Sequence, residues 1–300
     1  MLSAAAEYLH HQIREAVDDS RLAGKISGAV HQTQNLYHMV DPIQLSHVVL
    51  DGSQGIQAAQ ARRTPVDAGR LVIGLKCGGS DGYSGITANP VVGALSDRVI
   101  ALGGSAVLTE VPEMFGAEQL LMNRCADEAT FERTVRLIND FKQYFQSNGQ
   151  VIYENPSPGN KDGGITTLED KSLGCTQKGG SAQVVDVLDY AQSVRKPGLT
   201  LLSAPGNDLV SATALAMAGA QLVLFTTGRG TPFTCPVPTL KISTNPVLSA
   251  RKGGWIDFNA GRMLDGMSRD KLADDLLELV LNVASGTRHT RSEALDKSDL

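Results

Sequence analysis

Residues 71–93, LVIGLKCGGSDGYSGITANPVVG, constrain the fold more than any other stretch of the chain. They open with an apolar run, Leu71 to Leu75, of the length and composition of a buried strand. A segment dense in Gly, Ser and Asp follows, and Thr87 and Asn89 lead into Pro90. Proline suits the first turn of a helix, so the unit reads strand, polar glycine loop, helix. In α/β proteins such a loop lies at the carboxyl end of a strand, where ligands bind. Its glycines let backbone N–H groups approach an anion, and the helix N-terminus adds partial positive charge. The loop lacks the G-K-[ST] of a P-loop and the G-x-G-x-x-G spacing of a dinucleotide fingerprint. Cys77 and Asp81 are candidate metal ligands within it.

The same arrangement recurs downstream. Residues 105–110 form a second buried-strand candidate running into TEVPEMFGAE, which places Glu110 and Glu113 around a proline at the strand's end. Residues 199–203 precede APGND, where Asn207 or Asp208 caps a helix of small residues. Residues 221–225 run into TTGRGTPF; Arg229, set between two glycines, suits bidentate carboxylate recognition. TLKIST (239–244) and WIDFNAG (255–261) read as further short strands. Helices are expected near 1–24, 90–102, 117–125, 128–147 and 272–284, with Phe131, Val135, Ile138, Phe141 and Phe145 as the core stripe of the fourth. Residues 154–164, ENPSPGNKDGG, are the least helix-like segment, a polar loop offering Asn155, Ser157, Asn160 and Lys161. Thr-x-x-Glu/Asp at 166–170 is a helix start, with Lys171 a turn further on. Alternating strands and helices predict an α/β fold, a mostly parallel sheet with polar Gly-rich loops at the strand carboxyl ends.

Composition narrows the function classes. Hydrophobic residues make up 42% and charged residues 20%, ordinary values for a globular protein. A net charge of −5 gives no general attraction to nucleic acid or anionic membrane. No apolar run approaches the roughly 18 residues of a spanning helix, and the N-terminus lacks a basic start and apolar core, so a cytoplasmic protein is expected. The four cysteines, Cys77, Cys125, Cys175 and Cys235, are far apart, which predicts free thiols or isolated metal ligands rather than disulfides. Five of the six histidines fall in the first 50 residues at spacings that match no compact metal motif.

GLKCGGSDGYSGITANP, LTEVPEMFGAEQLLM, YENPSPGNKDGGITTLEDKSLGCTQKGG, LLSAPGND and LFTTGRGTPF together resemble the altronate dehydratase/galactarate dehydratase family. The second and third pull the match toward the altronate members. The resemblance covers about 70–290 and implies a hydro-lyase of sugar-acid catabolism that converts D-altronate to 2-dehydro-3-deoxy-D-gluconate. Galactarate is the alternative substrate, and iron(II) or manganese(II) the implied cofactor. Expected metal ligands are Cys77, Asp81 and Glu110; expected catalytic groups are Lys161, Lys171 and Glu113. Ser80, Thr87, Asn89, Asn155, Ser157, Asn160, Thr226, Thr227 and Arg229 are expected to bind substrate. Residues 1–70 carry neither the HTYGC-type nor the GLGCE-type motif of the family and read as a divergent segment. Residues 71–290 then form the family's C-terminal domain, and 291–300 a flexible tail. The resemblance therefore leaves room for a homo-oligomer, or for a binding subunit completed by a partner chain that supplies the middle region.

Overall fold

The computed structural model describes residues 64–295. The helix expected at 1–24 and the histidine-rich segment lie outside them. Seven parallel strands form one sheet: β1 (Val72–Cys77), β2 (Ser105–Leu108), β3 (Val184–Leu188), β4 (Gly198–Leu202), β5 (Leu222–Thr227), β6 (Thr239–Ser243) and β7 (Phe258–Asn259), in the order β3-β4-β2-β1-β5-β6-β7. Near-continuous apolar runs are what a parallel sheet covered on both faces requires. Alternate residues serve two cores. Ile73, Leu75, Leu108, Leu222 and Leu224 pack into one, and Val107, Val223 and Phe225 into the other.

Helix α1 (Ala88–Ala101) buries Val91, Val92, Leu95 and Val99 in the larger core, each such side chain contributing about 1.5–3 kcal/mol. The remaining helices are α2 (Glu118–Met122), α3 (Glu128–Ser147), α4 (Pro158–Asp162), α5 (Leu168–Thr176), α6 (Asp208–Met217), α7 (Pro246–Arg251), α8 (Arg269–Ala284) and α9 (Arg291–Ala294). Strand β1 lies between β2 and β5, so the chain lays down β2, β3 and β4 on one side of it and then β5, β6 and β7 on the other. The carboxyl end of β1 is thus a topological switch point, where open α/β sheets bind ligands.

Four local expectations change. The segment 154–164 contains a helical turn, α4, because Ser157 and Asn160 form a reciprocal capping box and Pro158 occupies the first turn. On α3, Phe131 is 41% exposed; the buried seam runs through Thr130, Thr134, Leu137 and Ile138. The strand expected over 255–261 shortens to β7, with a 3-10 turn, Ala260–Asp265, after it. Part of the polar C-terminal tail is ordered: Thr290 and Glu293 form a capping box for α9, and Ser292 is buried against Lys241. The capping expected of Asn207 or Asp208 falls to Asn207, which accepts from the Val210 N–H.

Candidate active site

At the switch point the sequence places charge where the strands are otherwise apolar. Strand β1 ends in Lys76 and Cys77, both buried. After β2 the chain turns through Glu110, whose left-handed backbone (φ 66°, ψ 60°) is unusual for a residue with a side chain. That conformation aims its carboxylate back at β1. Glu110 Oε1 accepts from Lys76 Nζ at 2.5 Å, and Oε2 accepts from Lys178 Nζ and the Cys77 N–H, each at 3.0 Å. Lys76 also pairs with Asp208 at 2.8 Å, at the start of α6. Strain of this kind costs about 1–3 kcal/mol and persists where surrounding contacts over-determine it, as these do.

Helix α5 supplies the other half. Thr167 caps it by accepting from the Asp170 N–H, and one turn along Lys171 and Cys175 share a face at i, i+4 spacing. Lys171 Nζ donates to Glu113 Oε2 at 2.5 Å and to Cys175 Sγ at 3.0 Å, and lies 3.8 Å from Cys77 Sγ. The two sulfurs are 3.5 Å apart. Asn155 Nδ2 donates to the same Glu113 oxygen at 3.0 Å. Lys171 is buried, while Glu113 retains 16% of its side-chain exposure and opens the cluster to solvent.

Burial opposes charge on Glu110, Glu113 and the three lysines, yet their partners outweigh it. Glu110 is held down at about 2 because Lys178 and Lys76 overcome its desolvation. Burial pulls the Lys76, Lys171 and Lys178 ammoniums down, but neighbouring carboxylates and sulfurs hold all three above the ordinary lysine value. Glu113 is also lowered: burial works against its charge, and Lys171 wins. The Cys175 hydrogen bond brings Cys77 down to about 6 and pushes Cys175 up, so the pair favours one thiolate beside Lys171. Lys171 is therefore an ammonium at rest. It can stabilise developing negative charge or deliver a proton, and it is not a ready base.

Five expected residues converge here: Cys77, Glu110, Glu113, Lys171 and Asn155. Four others were not anticipated: Lys76, Cys175, Lys178 and Asp208. A lysine inside the apolar run LVIGLKC is one signal for them, and Lys171 with Cys175 four apart on a helix is another. The four cysteines are free thiols, as expected, and Cys77 and Cys175, far apart in sequence, meet across the fold.

A second set is spent on holding loops. Asp81 accepts from Ser84 Oγ (3.1 Å), Thr244 Oγ1 (2.9 Å), Asn245 Nδ2 (3.0 Å) and the Tyr83 N–H (3.2 Å). A Cβ at Gly228 would run into that carboxyl group, which is why the chain has glycine there. Thr87 donates to the Thr244 carbonyl, Thr226 to Asn89 Oδ1, and Asn89 to the Gly174 carbonyl. Asn160 donates to the carbonyl of buried Ser80, Ser157 caps α4, and Thr227 Oγ1 accepts from the Gly230 N–H. Arg229, 47% exposed, donates to the Gly159 carbonyl at 2.5 Å and lies 3.9 Å from Asp162, and Lys161 is exposed on α4.

These residues do not fit a resident divalent metal. Among the described residues, no three or more His, Cys, Asp or Glu side chains are placed to hold one. Asp81 faces its own hydrogen-bond donors, and both Glu110 oxygens are taken by ammoniums. The Lys171 ammonium itself lies among Glu113, Cys175 and Cys77. Nor is any described helix long and apolar enough to cross a membrane.

A parallel α/β sheet with a buried lysine–carboxylate–thiol cluster at its switch point has the layout of an acid–base enzyme domain. Residues 68–300 match the model of the D-galactarate/altronate dehydratase C-terminal family, and the chain belongs to that family. It is 59% identical to an altronate dehydratase of Escherichia coli over 80% of this chain and 48% of that protein. It is 60% identical to an altronate dehydratase of Bacillus subtilis over 75% of this chain and 46% of that protein. A (2R)-sulfolactate sulfo-lyase subunit beta of Chromohalobacter salexigens is 35% identical over 79% of this chain and 62% of that protein. The chain spans about half the length of the altronate dehydratases it matches.

Proposed function

We propose that this chain carries a sugar-acid dehydratase site that eliminates water from D-altronate to give 2-dehydro-3-deoxy-D-gluconate. The supporting observation is the Lys171 ammonium, fixed by Glu113 and two thiols at the switch point of a family domain. The reaction removes the proton at C2 and the hydroxyl at C3, and the resulting enol tautomerises to the 2-keto acid. Negative charge builds on the substrate carboxylate as C–H breaks, and a fixed, buried cation is what that step needs. Lys171 is that cation in this reading, and it can return a proton to the departing hydroxyl. Glu113 and Asn155 orient it. Lys161 and Glu113 are the groups left for the C2 proton, and in this reading Arg229, which is 47% exposed beyond its bond to the Gly159 carbonyl, meets the substrate carboxylate. Iron(II), with manganese(II) as substitute, is the cofactor we propose from the family resemblance, with donors that residues 64–295 do not assemble.

The test is anaerobic turnover of D-altronate, with galactarate in parallel, with and without either metal, followed by 2-keto acid formation. Lys171→Met should lower turnover by about a hundred- to a thousandfold, a loss on the scale of one preorganised charge-stabilising group. Lys161→Met separates the two base candidates. The reading is overturned if neither sugar acid is turned over and neither raises the thermal midpoint. Binding without turnover would instead support a second reading, a sugar-acid-binding subunit completed by a partner chain. A relative named as a subunit beta, 62% of which is covered here, favours keeping that reading in the experiment. A cytoplasmic location belongs to the same proposal.

A further inference from the structure

Cys77 and Cys175 are separated by 98 positions in the chain, yet the end of β1 and the last turn of α5 bring their sulfurs to 3.5 Å. Both are free thiols and both are buried. The other two cysteines are spent elsewhere: Cys125 contacts Thr134, and Cys235 contacts Thr239. A disulfide needs the sulfurs at about 2 Å, so closing this contact brings them together by about 1.5 Å. Lys171 Nζ, 3.0 Å from Cys175 Sγ and 3.8 Å from Cys77 Sγ, sits where negative charge on either sulfur is stabilised. Glu113, which touches both Lys171 and Cys175, keeps 16% of its side-chain exposure, a path to the sulfurs for a small neutral oxidant.

We infer that Cys77 and Cys175 are an oxidation site for hydroperoxides, closing to an intramolecular disulfide that takes both thiols away from Lys171. One sulfur attacks the peroxide, forming an S–O bond, breaking O–O and releasing water as the sulfenic acid forms. The second sulfur attacks the sulfenic sulfur, forming S–S and releasing a second water. Two thiols and one hydrogen peroxide thus become one disulfide and two waters; the thiols are oxidised and the peroxide is reduced. The product is neutral, so Lys171 keeps Glu113 but loses its sulfur partners. The bond itself depends only on the sulfur geometry; its effect on turnover rests on the function proposed above.

The experiment treats the full chain with hydrogen peroxide and counts alkylatable thiols under denaturing conditions. Four cysteines are present, and two should become unreactive, with the intact mass lower by two hydrogens. A proteolytic fragment joining Cys77 to Cys175 should appear and vanish on addition of dithiothreitol. A Cys125→Ser, Cys235→Ser chain should behave identically, and Cys175→Ser should replace the cross-link by sulfenic or sulfinic acid on Cys77. Retention of four reactive thiols, or over-oxidation of either cysteine in the unmodified chain without a cross-link, overturns the inference. These readouts are independent of activity. A cross-link in a chain that never turns over sugar acid would sink the proposed reaction and leave the oxidation site standing.

Discussion

The Lys171 cluster and the Asp81 cluster both lie at the carboxyl end of the sheet, but full charges on both sides hold the first together. Neutral hydroxyl, amide and backbone donors around one carboxylate hold the second. In the first, ammoniums crowd against carboxylates and thiols, and the pKa values move. In the second, a single carboxylate ties the loop after β1 to the loop after β6 and packs against Gly228 after β5. The contrast separates residues that build a site from residues that carry its chemistry, although both kinds look alike as polar letters in a glycine loop. It also separates what should happen when each is altered.

Removing one cation from the charged cluster has the largest expected effect on stability. Lys178→Met leaves the buried Glu110 carboxylate with one ammonium fewer, and breaking such a pair costs about 3–5 kcal/mol. Urea denaturation of the two proteins measures it; a loss under 1 kcal/mol would mean that Lys76 alone suffices for Glu110.

Acid reaches the same carboxylate without mutation. Glu110 sits at about 2 in the folded protein, against an ordinary value of 4.5. A folded-state value below the unfolded one means that the unfolded chain takes up the proton first as pH falls. The contribution is therefore complete above pH 4.5 and lost as pH drops toward 2, worth roughly 3 kcal/mol at 1.36 kcal/mol per unit. Asp257, raised to about 6 by burial, works with the opposite sign, its contribution fading as pH rises through 6. Urea midpoints against pH should fall less steeply on the acid side in Glu110→Gln than in the unaltered chain.

Asp81→Asn probes the neutral cluster. Its Oδ2 accepts from both Thr244 and Asn245, so an amide group there faces at least one donor with another donor. The expected loss is about 1–3 kcal/mol of stability. Turnover per folded molecule should stay within a few-fold, the reverse of the Lys171→Met pattern. Equal damage to turnover from both variants would erase the distinction between the clusters.

How far the sequence reveals these clusters depends on which physics each uses. The parallel sheet is legible because apolar runs such as LVIGL and LVLF, bounded by Gly and Pro, admit few other readings. Helix α3 is legible end to end, since Asp127 caps it and its apolar residues recur at helical spacing. Its exposed Phe131 shows that periodicity marks a face and leaves open how far the neighbouring element covers it. Glu113 stands out as a charge beside a strand end, and Lys171 as one just inside a helix that Thr167 starts. Lys178 does not, and what the lysine in LVIGLKC and the i, i+4 spacing of Lys171 and Cys175 leave open is the partner, which lies more than 30 positions away in each case. Asp81, Thr87, Asn89 and Thr226 carry the same polar signature as binding residues while their hydrogen bonds close on the protein itself. Hydrogen-bond closure is a three-dimensional fact that local sequence does not encode.

The smallest stability effect offers the sharpest test of geometry. Helix α5 crosses the glycine loop at Gly174 and Gly85, so closely that a Cβ on Gly174 would lie 3.2 Å from the Gly85 Cα. Backbone cannot swing aside as a side chain does, so Gly174→Ala must move the helix by a few tenths of an ångström. Alanine in a helix gains about 1 kcal/mol over glycine, which offsets the crowding and should keep the urea midpoint nearly unchanged. The same shift displaces Lys171 and Cys175, which ride on that helix, relative to Cys77 and Glu113. Because misplacement of about 1 Å can cost a hundredfold in rate, a shift of this size should lower turnover about tenfold at constant stability. A Gly174→Ala protein with unaltered turnover would show that the register of α5 against β1 is not what fixes the site.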